Sequence, residues 1–388
     1  MAWIETLPPW VVALPWLAAP LVVLWQLRNS RHLADYPPAA GADVPRVSVI
    51  VPARNEAHNI ERCVQSLCAT TYPNVEFIVV DDHSSDETGA LAWRAFGNDA
   101  RARVTVPPAL PDGWFGKQWA CAHGASLATG DLYLFTDADT SHAPDLLPRA
   151  VAALRAREAD LLSVNGRQET GTFWEKVVQP AIFVMFFAIL GGAETMSRSR
   201  NPRRKIANGQ CLLVRRAAYD ALDGHAAVRA YSAEDAMLAM RWTEAGRRVH
   251  MVVGLDQLST RMYTSFGELV AGWEKNLWSA GRHLLADNAL VRGLARISMP
   301  LGPLIGVIPL ASLLLGATGI VSPWWMEFGA LAYAFSAIVL AIVYRGVRAA
   351  PGYALLHPLG AAVIAYITVR AVLRGDTTQW KGRVYRAA

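Results

Sequence analysis

The sequence predicts an α/β domain with a mostly parallel sheet, flanked by apolar helices of membrane-spanning length. Three observations predict it. Short β-branched runs alternate with helical patterns through roughly residues 46–290. A hydrophobic content of 53% and a mean hydropathy of +0.21 are too high for a wholly soluble chain of 388 residues. Acidic residues end the apolar runs. The clearest case is DLYLFTDADT at 131–140, where Leu132, Tyr133, Leu134 and Phe135 deliver Asp137 and Asp139 with only Ala138 between them. Two carboxylates this close repel, and neither belongs in a core without a compensating cation.

Trp10 to Leu27 is a helix-length apolar stretch followed by Arg28 and Arg31, which fits a membrane anchor over residues 1–34 with its C-terminal end in the cytoplasm. No small-residue cleavage site follows, so a retained anchor is expected rather than a removed leader. Residues 35–45, with Pro37, Pro38, Gly41 and Pro45, read as a linker. Val47, Val49, Ile50 and Val51 form the first strand, which Pro52 is expected to end; from Asn59 the spacing of Ile60, Val64 and Leu67 predicts a helix. The second strand runs from Val75 to Asp82 and leads through HSSDETG into a helix past Leu91. The third is the opening stretch itself. Polar clusters thus recur at the carboxyl ends of strands, the edge where open α/β sheets bind ligands.

Trp174–Ala193 is apolar and aromatic and lies between the acids of 137–139 and those of 234–235. A single crossing there would put Asp139 and Asp235 in opposite compartments. The expectation over 174–193 is an interfacial or re-entrant segment, with a buried helix of the soluble part as the other reading. From Asn208, NGQCLLVRRAAY reads as a buried strand entering a helix.

Three late windows, Ser298–Ile320, Trp324–Tyr344 and Gly352–Leu373, make residues 298–373 a C-terminal membrane region, followed by a basic tail over 374–388. Counting three spans from a cytoplasmic domain puts the tail outside. Arg370, Arg374, Lys381, Arg383 and Arg386 favour the cytoplasm. His357, Pro358 and Gly360 interrupt the third window, so that window is expected to dip and return, with a cytoplasmic tail and with Trp380 and Arg383 near the membrane surface.

The net charge of +5 is concentrated beside the apolar segments, which points to lipid and anionic ligands rather than nucleic acid. Cys63, Cys68, Cys121 and Cys211 show no CxxC spacing, so free thiols in a reducing compartment are expected rather than disulfides or zinc. His83 and His142 flank acids without metal-ligand spacing and read as loop residues.

A divalent cation held by one or two carboxylates plus ligand phosphates explains the paired acids, with Arg54 and Lys117 in loops of the same half. From the residues alone Asp137 could equally cap a turn and Asp139 start a helix, and Glu234 with Asp235 could be an acidic pair at a helix N-terminus.

VSVIVPARNE, VVDDHSSDETG, TDAD and AEDAMLAMRW together resemble, in order and spacing over roughly residues 46–285, the family 2 glycosyltransferases of GT-A fold. The stretch GWFGKQWACAHGASLATGDLYLFTDADTSHAP is similar, more narrowly, to membrane-anchored members that glycosylate lipids: hopanoid-associated and carotenoid-type enzymes and, more distantly, ceramide glucosyltransferases. The resemblance implies a catalytic domain over 46–290, a nucleotide-diphosphate sugar donor, Mg2+ or Mn2+, and inversion at the anomeric carbon. It assigns Pro52, Arg54 and Glu56 to the first nucleotide loop, Asp82 to the base or ribose, Lys117 to the diphosphate, Asp137 to the ribose and metal, Asp139 to the metal, and Asp235, with Glu234 as neighbour, to the general base. The beginning of NGQCLL falls in the acceptor pocket.

Polymerising members carry a QxxRW signature after the base, which this chain lacks; Arg261, Trp273 and Lys275 stand in that region. A single transfer to a lipid acceptor is expected rather than polymer synthesis, at the cytoplasmic face of a bacterial inner membrane, with Trp273 or Arg383 as candidates for closing over the donor. The competing readings are a catalytically degenerate membrane-anchored scaffold and a nucleotidyltransferase of similar architecture. The intact acids oppose the first. The absence of glycine from PARNEAHN opposes the second, which would open on a glycine-rich phosphate loop.

Overall fold

The computed structural model describes residues 4–41, 43–284, 288–375, 377–380 and 383–386. They divide into two compact units, one comprising residues 31–169, 196–262 and 376–388, the other residues 1–30, 170–195 and 263–375.

The first unit is built on a seven-stranded sheet. In chain order its strands are β1 (Val47–Ala53), β2 (Val75–Asp81), β3 (Ala102–Thr105), β4 (Leu132–Thr136), a short β5 (Thr140–His142), β6 (Leu161–Asn165), a two-residue β7 (Arg167–Gln168), β8 (Cys211–Arg215), β9 (Val249–Val253), β10 (Leu258–Thr260), and a terminal hairpin of β11 (Thr377–Trp380) and β12 (Arg383–Arg386). The main sheet has the order β3-β2-β1-β4-β8-β6-β9, while β5, β10 and β7 form a small second sheet. Every neighbour pair in the main sheet is parallel except those of β8, which is antiparallel to both β4 and β6. The expected mostly parallel α/β sheet is therefore present.

The central strands are buried on both sides, as their near-continuous apolar runs require. Val47, Val49, Val51, Phe77, Leu134 and Leu213 fill one face. Ile50, Ile78, Val80, Phe135, Leu212 and Trp242 fill the other. Helix Gly116–Leu127 lies so close on the second face that a Cβ at Gly124 would stand 2.5 Å from the Ile50 side chain, and this approach carries the start of the helix to the carboxyl ends of β1 and β4.

Pro52 does not end β1, which continues to Ala53 with Pro52 in register with Val80. The reason is the pairing: β4 meets β1 only over Val47–Ile50, so the missing N–H of Pro52 falls where β1 has one neighbour. His142 is not a loop residue but the last residue of β5, buried, with its Nε2 2.9 Å from the Thr136 hydroxyl. Burial holds its imidazole down at a pKa of about 3, hence neutral.

The second unit is helical. Among the described residues four helices are long and apolar enough to cross a membrane, Pro9–Arg28, Phe173–Arg198, Pro323–Gly346 and Pro351–Arg374 as counted with their short extensions, and a bent pair, Gly293–Leu304 with Ile308–Ala317, makes up to five. The interruption expected in the third late window falls in the first instead, where the pair bends by 52°. Pro300 and Pro303 lie inside the first half of that pair and remove helix hydrogen bonds. Pro358, by contrast, sits in the opening turn of helix His357–Arg374, where no N–H is needed. Gly360 is a packing residue: a Cβ there would stand 2.9 Å from the Val177 carbonyl of helix Phe173–Leu190.

Helix Phe173–Leu190 opens on a capping box of Thr172 and Glu175 and ends at Gly191, whose φ of +92° suits glycine. By composition it could cross a membrane. Yet β8, which follows it, is hydrogen-bonded between β4 and β6, which precede it. Both ends of the segment therefore lie on one side of any bilayer, and a single crossing is excluded.

Candidate active site

The carboxyl ends of β1, β2 and β4 converge because those strands are parallel neighbours. Helix Gly116–Leu127 enters the same edge by its N-terminus, held by the Phe115 amide donating to the Arg229 carbonyl at 2.9 Å and by the Gln118 amide donating to Tyr231 O. This anchors Lys117 against the segment that leads into helix Glu234–Glu244. Antiparallel β8 starts where β4 ends, so residues 208–210 arrive beside Asp137; the Thr136 hydroxyl donates to the Gln210 carbonyl at 2.7 Å.

Lys117, Asp137, Asp139, Glu234 and Asp235 come together at this edge. The Lys117 Nζ lies 2.7 Å from Asp137 Oδ1 and 2.7 Å from Glu234 Oε1. The cation missing beside Asp137 in the sequence is supplied in part by Lys117. Burial pulls the Lys117 ammonium down, but Asp137, Glu234 and Asp235 together hold it well above the ordinary lysine value, so it stays charged. The Asp139 Oδ1 atom is buried without a hydrogen-bond partner among the described residues. Burial first, then the charges of Asp137 and Glu56, push its carboxyl up to about 7. Asp137 is raised by burial, against the pull of Lys117.

Asp235 accepts a hydrogen bond from the Gly209 amide at 2.8 Å. A Cβ at Gly209 would stand 3.2 Å from both Asp235 Oδ2 and Lys117 Nζ, so the close approach of this loop depends on glycine. Burial, then Glu234, raise the Asp235 carboxyl to about 6 while Lys117 opposes them.

The first two strand-end loops interlock. The amides of Asn55, Glu56 and Ala57 donate to Ser84 Oγ, Thr88 Oγ1 and Asp86 Oδ2 at 3.0, 2.8 and 3.2 Å. The Ser85 amide returns to Asn55 Oδ1 at 2.8 Å. The polar run after β2, legible only as a helix cap, also shapes the loop after β1. Arg54 Nη1 donates to the Asp82 and His83 carbonyls at 2.5 and 3.0 Å. Asp82, 2% exposed, pairs through Oδ2 with Arg383 Nη1 at 2.5 Å.

Sequence reasoning took the beginning of NGQCLL to the acceptor pocket without singling out Gly209, and the Lys117–Glu234 pair had no signal beyond the GK dipeptide. Trp273 falls in the other unit. It is buried there, with Nε1 donating to Gln179 Oε1 at 3.3 Å and its ring against Phe183 and Tyr263. Among the described residues all four cysteines are free, and no group of three or more His, Cys, Asp or Glu could hold a metal unaided.

Residues 48–223 match the family described as Glycosyl transferase family 2. Among characterised proteins, the chain is 27% identical over 263 residues to a 4,4'-diaponeurosporenoate glycosyltransferase of Staphylococcus haemolyticus, covering 66% of this chain and 68% of that one. It is 30% identical over 241 residues to the enzyme of that name in Staphylococcus aureus strain MRSA252, covering 60% of each chain. Among solved structures, the mannosyltransferase PcManGT of Pyrobaculum calidifontis, in complex with GDP-Man and Mn2+, superposes with a TM-score of 0.54 at 19% identity, covering 94% of this chain and 97% of that one. The sheet order, the acids gathered at its carboxyl edge and these matches agree: residues 48–223 carry a family 2 glycosyltransferase domain with a GT-A-like fold.

Proposed function

We propose that the chain transfers one sugar from a nucleotide-diphosphate sugar to a membrane lipid acceptor, with inversion at the anomeric carbon and with Mg2+ or Mn2+. The observation that carries this reading is the half-buried Asp139 carboxylate beside Asp137, whose Oδ1 is buried with no hydrogen-bond partner among the described residues. A carboxylate with a buried, unsatisfied oxygen is costly unless a cation completes it. Asp139 and Asp137 would hold a hard divalent ion, with the remaining positions open to diphosphate oxygens and water. When bound, such an ion supplies charge neutralisation for the leaving diphosphate.

The chain's own residues do the rest. Arg54, Glu56 and Asp82 form the nucleoside side of the edge, Pro52 supports their loop from β1, and Lys117 offers its ammonium to the phosphates. Asp235, ionised at neutral pH, takes the acceptor's proton. One base and one displacement are what an inverting transfer needs. The lipid acceptor is supported by the apolar helices of the same chain and by relatives named for a carotenoid acid.

Purified protein is expected to release nucleoside diphosphate from a UDP- or GDP-sugar when a divalent ion and a lipid extract are supplied, with label passing to the lipid fraction. Pyrophosphate as the product would instead identify a nucleotidyltransferase, and no release with any donor would leave the scaffold reading.

The sheet and the tail face the cytoplasm. The Arg383–Asp82 pair supports this, since residues 376–388 and the sheet fall in one unit. If the bent pair at 293–317 dips and returns, two crossings remain after residue 263, and the tail comes back to the side it left. The charge count needed for this is smaller than the sequence suggests, because Arg370 and Arg374 are engaged by the buried Glu274 at 3.2 and 3.6 Å. Single cysteines introduced at 200 or 383 are expected to resist a membrane-impermeant maleimide applied from the periplasm; labelling at either site would reverse the topology.

A further inference from the structure

The tail lies outside the matched residues 48–223, yet its Arg383 reaches the most buried acid at the binding edge. Asp82 is held from two directions, its carbonyl by Arg54 at 2.5 Å and its Oδ2 by Arg383 at 2.5 Å. Its Oδ1 is buried with no hydrogen-bond partner among the described residues. A carboxylate satisfied on one oxygen only is a poor structural ion pair, because desolvation of the second oxygen goes uncompensated. It is a good acceptor site for a ligand N–H or O–H. The position is apt. Asp82 follows β2, Asp137 and Asp139 follow β4, and β1 lies between. Two strand spacings, about 10 Å, separate the two lines of acids, which suits a nucleoside at one end and its diphosphate at the other.

We infer that Arg383 is a positioning residue of the donor site. The hairpin β11–β12 sets its guanidinium on Asp82 Oδ2, which holds the carboxylate turned so that Oδ1 receives a nucleoside N–H or hydroxyl. The C-terminal hairpin is then part of the donor pocket and not only a membrane-surface tail. Arginine suits this task better than lysine, since its planar fork fixes carboxylate orientation. The inference rests on the nucleotide-sugar reading given above.

Arg383→Gln is expected to raise the donor KM about tenfold or more, about 1.4 kcal/mol, with kcat at saturating donor and the acceptor KM within a factor of about three. Titration of the full-length protein with UDP and with GDP, each with Mn2+, should show the same loss for the nucleotide that wild type binds. Arg383→Lys should recover part of it and guards against a folding defect in the first variant. Because Arg383 acts through Asp82, the double variant Asp82→Asn/Arg383→Gln should be no weaker than the worse single variant. Unchanged donor KM and nucleotide affinity in Arg383→Gln, or additive losses in the double variant, would overturn the inference while leaving the transferase reading intact. A wild-type protein that binds neither nucleotide and turns over no nucleotide sugar would overturn both.

Discussion

Asp235→Asn is expected to lower turnover about 10²-fold or more, with the donor KM close to unchanged. The substitution preserves shape, and the side-chain oxygen can still accept from the Gly209 amide, so the loop at 208–210 should hold its place. What is lost is a carboxylate able to take the acceptor's proton. In the proposed base role the same group should set a pH limb in the wild type. With its carboxyl raised to about 6 by burial and by Glu234, Asp235 is ionised above that value and protonated below it. kcat should therefore fall as pH drops through about 6, and Asp235→Asn should flatten this limb. A variant with full kcat and only weaker donor binding would remove Asp235 from the base role.

Asp139→Asn should abolish most metal-stimulated transfer, since the neutral amide keeps the size of the side chain but not the charge that a hard cation requires. In metal-free buffer the same variant should be more stable than wild type. The unpartnered Asp139 oxygen is a cost to the fold when no metal is supplied, and its carboxyl, raised to about 7, gives the sign. A group whose folded value lies above its unfolded one favours the fold at low pH, and that contribution is lost as pH rises through the folded value. The gain in Asp139→Asn should be on the order of 1–3 kcal/mol at pH 8 and should vanish near pH 4. Thermal unfolding with a chelator across that range reads it. Retained metal-stimulated turnover would remove Asp139 from the metal site, and equal stability at all pH values would contradict its uncompensated charge.

These expectations depend on how much of the site was local. The strands ending at Ala53, Asp81, Thr136 and Arg215 were visible as apolar runs because β1, β2, β4 and β8 are buried on both faces. Pro52 misled because a proline stops a strand only where its amide is needed, and the pairing that decides this is not a local property. Pro358 and Gly360 misled for a related reason. A proline in a helix's first turn costs little, and a glycine under a crossing helix is a contact rather than a break. The damaging prolines were Pro300 and Pro303, hidden within a window that hydropathy scored as continuous.

What the sequence by itself determined is the α/β alternation, the apolar helices and the identity of the acids at the strand ends, since each is a pattern within a few residues governed by backbone period and burial. The partners of those acids were decided only by the tertiary structure. Insertion of antiparallel β8 between β4 and β6 brings Gly209 to Asp235 and opens the corner where Lys117 meets Glu234. Return of the chain's last residues to the sheet brings Arg383 to Asp82 across 301 positions. Strand order and chain return set which charges share a low-dielectric edge, and there a distance of a few ångströms determines which carboxylates are paired and which are left for a ligand.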